Sequence, residues 1–271
     1  MRIFANHAHI IPAEFRENCG IDGLREVMAD CGIEKAVCFA PLPYQMVNCQ
    51  NRDSCRFLYE QMEGDPALVG FGTVDFERED LTAQVEKMAE YGFRGIKIHP
   101  AAQEIHVFGE QARQVYAAAE RLGLFISFHT GIHWRRIAEY HPLLFDEVAF
   151  FYPKLKFSME HIGGYHFFRD ALAVLCNNSR NDAGGAVYAG WTSIFMPADG
   201  IPDEWSLSDF ELKTLLYQVG DDTSLFGLDY PYRRGDTTKR DIERILQMDI
   251  PEESKEKIFG KNLAAALGLA W

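Results

Sequence analysis

No apolar stretch in this chain approaches the roughly 20 residues that a helical membrane span requires, so no membrane-spanning helix is expected. Positive charge is in short supply. Lysine and arginine total 27 against 40 acidic residues, a formal net charge of −13. A phosphate backbone calls for a basic patch, so nucleic acid is not an expected partner, and the acidic surplus serves solubility. None of the six cysteines (Cys19, Cys31, Cys38, Cys49, Cys55, Cys176) forms a C-x-x-C pair. They read as buried or incidental thiols of a reducing compartment, which implies the cytoplasm, with a Cys49–Cys55 bridge as the minor alternative. The start of the chain lacks a basic region followed by an apolar run, so no signal peptide is expected. Low-complexity segments, long linkers and charge blocks are missing too, and residues 1–271 read as one domain.

What is present is an alternation of strand-like and helix-like segments. The expected strands are 2–6, 35–40, 67–75, 93–99, 124–129, 155–161, 186–192 and 224–229. Helical spacing falls between them, at 23–31, 52–63, 81–91, 110–122, 142–151, 167–177, 208–219 and 238–248, and one or two helices at 252–267 end the chain. Eight such repeats predict an α/β protein with a closed parallel (β/α)8 TIM barrel. An open doubly wound sheet is the alternative, but it would string the polar strand ends along a wide front, whereas a barrel gathers them at one mouth.

Those strand ends carry the chemistry. His7 and His9 close the first strand, and side chains at i and i+2 share one face, here with Ala5. His129 ends the fifth strand, His161 the sixth and Asp229 the eighth, while Ile96, Ile98, Ile126, Phe128, Phe226 and Leu228 are expected to pack outward. Three imidazoles and one carboxylate (His7, His9, His129, Asp229) suit one divalent metal, zinc first, with iron, manganese or cobalt as alternatives. An open coordination position would hold a water and lower its pKa toward about 7. Asp229 would bind the metal and accept the water's proton, and His161 would face the substrate as proton shuttle or electrophile. Blander roles stand beside these. Asp229 can cap the turn before Pro231, His99 before Pro100 is either site wall or structural, and Lys97 is either a paired buried charge or, if carbamylated, a bridge to a second metal. His106, His133, His141 and His166 read as ordinary loop histidines.

Five segments together resemble the amidohydrolase superfamily, in its amidohydrolase-related branch with the aminocarboxymuconate-semialdehyde decarboxylase-like enzymes. They are Asn6-His7-Ala8-His9-Ile10-Ile11-Pro12, Gly95-Ile96-Lys97-Ile98-His99-Pro100, Phe128-His129-Thr130-Gly131, His161-Ile162-Gly163-Gly164 and Leu225-Phe226-Gly227-Leu228-Asp229-Tyr230-Pro231. The tail Ile258-Phe259-Gly260-Lys261-Asn262-Leu263-Ala264 is similar to the family's closing helix. The resemblance implies a one-metal barrel with ligands at His7, His9, His129 and Asp229 and a catalytic histidine at His161. It also implies a chain that often forms homodimers. Ala5 stands where family members commonly carry aspartate, which predicts weakened support for the metal shell.

The resemblance implies two reactions. One is hydrolysis of an amide, ester or lactone carbonyl by a metal-activated water, which is preferred by analogy. The other is non-oxidative decarboxylation of an unsaturated or aromatic acid. A barrel that binds metal or ligand without turnover is a third reading, and a two-metal phosphoesterase a fourth, although no Gly-rich phosphate loop is evident. For a small anionic or aromatic substrate, the expected contacts are His99, Arg52, Tyr44, Trp134 and Arg233, with His133, Arg135, Trp191 and Tyr232 in the same set of loops.

Overall fold

A computed structural model describes residues 1–180, 182–197 and 199–271. Eight parallel strands close into a barrel, each hydrogen-bonded to its sequence neighbours and β1 to β8. In chain order the elements are β1 (Phe4–His9), α1 (Ile21–Cys31), β2 (Lys35–Phe39), α2 (Ser54–Met62), β3 (Leu68–Thr73), α3 (Leu81–Glu90), β4 (Gly95–Ile98) and α4 (Glu110–Leu122). The second half runs β5 (Phe125–His129), α5 (Leu144–Phe151), β6 (Lys156–Glu160), α6 (Gly164–Asn178), β7 (Ala186–Thr192), α7 (Asp209–Val219), β8 (Ser224–Tyr230) and α8 (Asp236–Gln247). The closing segment is α9 (Glu252–Glu256), a π-helical turn at Lys257–Lys261 and α10 (Asn262–Leu267). The TIM barrel expected from the alternation is therefore the fold, and the open sheet is excluded. No helix among the described residues is long and apolar enough to cross a membrane.

Strand pleat divides the core in two. Ile96, Ile98, Ile126, Phe128, Phe157, Met159, Trp191, Phe226 and Leu228 lie between barrel and helices. Phe4, Val37, Phe39, Phe71, Phe125, Tyr188 and Leu225 fill the barrel interior, joined by Leu263 and Leu267 of α10. Trp191, counted among the loop contacts although it falls inside the expected strand 186–192, lies within β7 and is fully buried, so it is not a substrate-facing loop residue. With the lower interior plugged by rings, polar side chains of the interior are left at the C-terminal ends of the strands.

β1 departs from simple alternation. Its pairing shifts register between Ala5 and Ala8, and His7 takes a left-handed backbone (φ 67°). Without that kink Phe4, Asn6 and Ala8 would face inward and both histidines outward. With it, Asn6, His7 and His9 all reach the interior, while Ala5 and Ala8 belong to the outer layer. The expected sharing of a face by Ala5, His7 and His9 is thus corrected: the bulge, not the pleat, turns the histidines in.

Candidate metal centre

His7, His9 and Asp229 offer ligand atoms that all lie within 4.8 Å of one another. His7 Nε2 is 3.1 Å from His9 Nε2 and 3.4 Å from Asp229 Oδ1, and His9 Nε2 is 3.8 Å from the same oxygen. A hydrogen bond from His9 Nε2–H would account for the imidazole pair alone, but not for the carboxylate oxygen lying against the same His7 nitrogen. Convergence on a shared cation accounts for all three contacts. His129 lies outside this trio. Its ring stands 4.7 Å from that of His161, and its Nε2 is buried with no hydrogen-bond partner. Buried polar atoms are rarely left unpaired. The trio fits a divalent metal, and a cation that also reached His129 would satisfy that nitrogen.

Burial favours the neutral form of these imidazoles. Burial lowers the pKa of His7, His129 and His161 and takes His9 down to about 3. Burial alone would raise Asp229, but His7, His161, His9 and the Ser193 hydroxyl bring it down to about 2. Lys97, 1% exposed, sits with Nζ 3.3 Å from His7 Nε2 and 4.9 Å from the Phe39 ring centre, and burial lowers its pKa to about 8.

These shifts have a consequence for stability. A histidine depressed in the folded state binds fewer protons there than in the unfolded chain, between its folded pKa and 6.5. That contribution is complete above pH 6.5 and is lost as the pH falls toward about 3. Chelator-treated protein should lose stability on acidification, His9 alone adding a slope approaching about 1.4 kcal/mol per pH unit. Urea melts across that range check it. A His9→Gln variant should show a shallower slope, and an unchanged slope would contradict the assignment.

The support for His7 comes from a residue the sequence did not flag. Glu160, at the end of β6, is fully buried. Its carboxylate accepts from His7 Nδ1 (3.0 Å), Asn6 Nδ2 (2.8 Å), Ser127 Oγ (3.2 Å), Thr192 Oγ1 (2.7 Å) and the Ser158 hydroxyl. The donation by His7 Nδ1–H fixes the tautomer and turns the Nε2 lone pair toward His9 and Asp229. A carboxylate therefore supports the histidine although Ala5 offers none, which corrects the expectation drawn from Ala5. Gly190 makes room for it: a Cβ there would lie 2.4 Å from Glu160 Oε2.

His161 follows Glu160 directly, with left-handed backbone at His161 (φ 64°) and Ile162 (φ 50°). Its Nδ1 donates to the Thr192 carbonyl at 2.7 Å, so Nε2 is the free basic nitrogen. Left-handed backbone recurs at His7, Ser193 and Asp229. Non-glycine residues in that region cost about 1–3 kcal/mol each and gather at functional sites.

The remaining site candidates separate. His99 stacks on His129 (3.8 Å between ring centres, 9° between planes) and its Nδ1 accepts from the Ala102 amide, so it buttresses the fifth-strand histidine. His133, expected to be an ordinary loop residue, meets His99 edge-on at 4.6 Å. Tyr44 is half exposed and packs on Phe15. Arg52 donates to the Val47 carbonyl and lines a cavity with Asp53, Arg78 and Asp80 that includes none of the site histidines. Trp134 projects into solvent, 96% exposed. Arg233 is folded against Ser193, to which it donates twice, and faces Asp203 and Asp241. Trp205, unmarked in the sequence, packs its indole against His161 (4.9 Å) and His129 (5.3 Å). Gly131 leaves it space, since a Cβ there would meet the indole at 2.8 Å.

The chain is similar in fold to a 5-carboxyvanillate decarboxylase from Sphingomonas paucimobilis (TM-score 0.70, 14% identity, 99% of each chain covered). It is also similar to a dihydroxybenzoic acid decarboxylase from a Polaromonas species, whose structure holds manganese and the inhibitor 2-nitroresorcinol (TM-score 0.71, 15% identity, 98% and 97% covered). An uncharacterised TIM-barrel protein of Bordetella bronchiseptica superposes with TM-score 0.75 at 18% identity over 99% and 100% of the two chains. No curated protein matches in sequence. The family model described as amidohydrolase matches residues 15–269, nearly the whole length, and the chain therefore belongs to the amidohydrolase family.

Proposed function

We propose that this protein is a metal-dependent hydrolase acting on an amide, ester or lactone of a small, carboxylated molecule, with one divalent cation held by His7, His9, His129 and Asp229. Zinc suits three imidazoles and a carboxylate best, and iron, manganese or cobalt are the alternatives. The observation that carries this proposal is the meeting of two imidazole Nε2 atoms and an ionised carboxylate within 4.8 Å at the end of a closed barrel. When bound, such a cation polarises a carbonyl and lowers the pKa of a coordinated water toward about 7.

The chain's own groups then handle the protons. Asp229 is the acceptor, kept ionised at neutral pH, with Oδ1 toward His7 and His9 and Oδ2 occupied by Ser193. His161 presents Nε2 as a second acceptor that can pass a proton to a leaving group. Trp205 covers both His161 and His129, which limits the approach of bulk water and favours a flat substrate. For a substrate carboxylate, Lys97 is the buried cation at hand, since no carboxylate among the described residues lies within ion-pair distance of its Nζ.

Decarboxylation of an unsaturated or aromatic acid is the second reading, favoured by that lysine and by the ring-lined surroundings of Trp205, Tyr232 and His99. Assays on lactones, amides and conjugated acids separate the two. A new carboxylate formed without carbon dioxide supports hydrolysis, and carbon dioxide release replaces it with decarboxylation. Substrates stripped of their carboxylate should turn over more slowly than the parent acids. Equal rates would remove the anion-binding role of Lys97.

A further inference from the structure

Asp229 does not stand alone. Its Oδ2 accepts a 2.6 Å hydrogen bond from the Ser193 hydroxyl. A serine hydroxyl has one proton, and a carboxylate can only accept, so that proton points at Asp229. The Ser193 oxygen in turn accepts from Arg233 Nε at 3.1 Å, and Arg233 Nη2 donates to the Ser193 carbonyl at 3.2 Å. This double hold keeps a non-glycine residue in left-handed backbone (φ 57°) directly after β7. Arg233 Nη1 faces Asp241 at 3.8 Å, and Nη2, already bonded to the Ser193 carbonyl, faces Asp203 at 4.0 Å. Asp203 Oδ1 accepts the Trp205 amide at 3.0 Å and the Ser206 hydroxyl at 2.6 Å, so it shapes the turn that carries Trp205. A series of hydrogen bonds and one longer ion pair thus runs from Asp229 through Ser193, Arg233 and Asp203 to the backbone of Trp205, whose indole packs against His129 and His161.

We propose that Ser193 and Arg233 are positioning residues that fix the Asp229 carboxylate and tie it to the Trp205 wall of the pocket. This rests on Asp229 being a metal ligand. With Oδ2 engaged by Ser193, Oδ1 would be the oxygen left to hold a cation. With Arg233 spent on Ser193, Asp203 and Asp241, a pocket wall and a ligand are placed by the same guanidinium, and filling the pocket bears on the ligand that organises the centre.

Cobalt(II) titration of the stripped full-length protein tests this, with the visible spectrum of the bound ion as the signal. Ser193→Ala and Arg233→Gln should each weaken cobalt binding by about 10-fold or more, the range seen when groups supporting a metal ligand are removed. The double variant should be little worse than either single one, because both break one path. Arg233→Lys should recover part of the loss, which general destabilisation would not do. Arg233→Gln should also change the fluorescence contributed by Trp205, read as the difference from the same variant carrying Trp205→Phe. Wild-type protein that binds cobalt alongside variants of equal affinity would overturn the positioning role alone. Fully additive losses would also overturn it. Wild-type protein that binds no cobalt would overturn the metal centre, and this role with it.

Discussion

Replacing Glu160 by glutamine should weaken divalent-cation binding by about 10–100-fold, the usual cost of removing a carboxylate behind a metal-binding histidine. The change is nearly isosteric, so the effect isolates hydrogen-bond polarity. Glu160 Oε2 accepts from His7 Nδ1 and Thr192, and Oε1 from Asn6, Ser127 and Ser158. An amide turns one of those oxygens into a donor facing donors, inside a site that water does not reach. If the amide nitrogen meets His7, the ring relieves the clash by moving its proton to Nε2. That tautomer has no lone pair for a cation. Nitrogen NMR of His7 should therefore report a tautomer shift together with the lost affinity. A Glu160→Gln protein with unaltered affinity and an unaltered His7 tautomer would show that the buried carboxylate serves stability alone.

His161→Asn should reduce turnover by about 10²–10⁴-fold, the range for a positioned acid–base group, while leaving the bound metal near wild-type level. The split follows from geometry. His161 is absent from the trio that shares a ligand point, its Nδ1 is committed to the Thr192 carbonyl, and its Nε2 is the free nitrogen under Trp205. Burial lowers the pKa of His161, with Asp229 opposing. Its neutral form therefore persists below the ordinary histidine range, and activity should stay level from pH 6.5 toward neutrality on its acid side. Turnover that survives in His161→Asn would leave Asp229 as the sole proton acceptor. Loss of the metal along with turnover would make His161 a ligand instead.

The fold was legible because a barrel writes itself twice in its strands. Ile96 and Ile98, or Phe226 and Leu228, mark the helix-facing side, and Lys97, Ser127 or Asp229 mark the interior. Strand ends carrying His129, His161 and Asp229 pointed to one mouth for the same reason. The bulge at His7 was not legible, since a left-handed histidine has no sequence mark of its own. Glu160 was hidden because its five donors come from β1, β5, β6 and β7, and no spacing along the chain links them. A trace of it exists in the small inward residues Ser127, Ser158 and Gly190, which leave a cavity that one buried carboxylate fills. Arg233 drew notice as a cation near the mouth. Its true partners, Ser193, Asp203 and Asp241, appear only when the ends of β7 and β8 are brought together.

Elemental analysis and X-ray absorption on protein purified without chelator test the central assignment most directly. The expected result is one divalent cation per chain, bound by three imidazole nitrogens and one carboxylate, and absent from His7→Ala and Asp229→Ala. Wild-type protein without a tightly held cation, or either variant retaining a full complement, would contradict it.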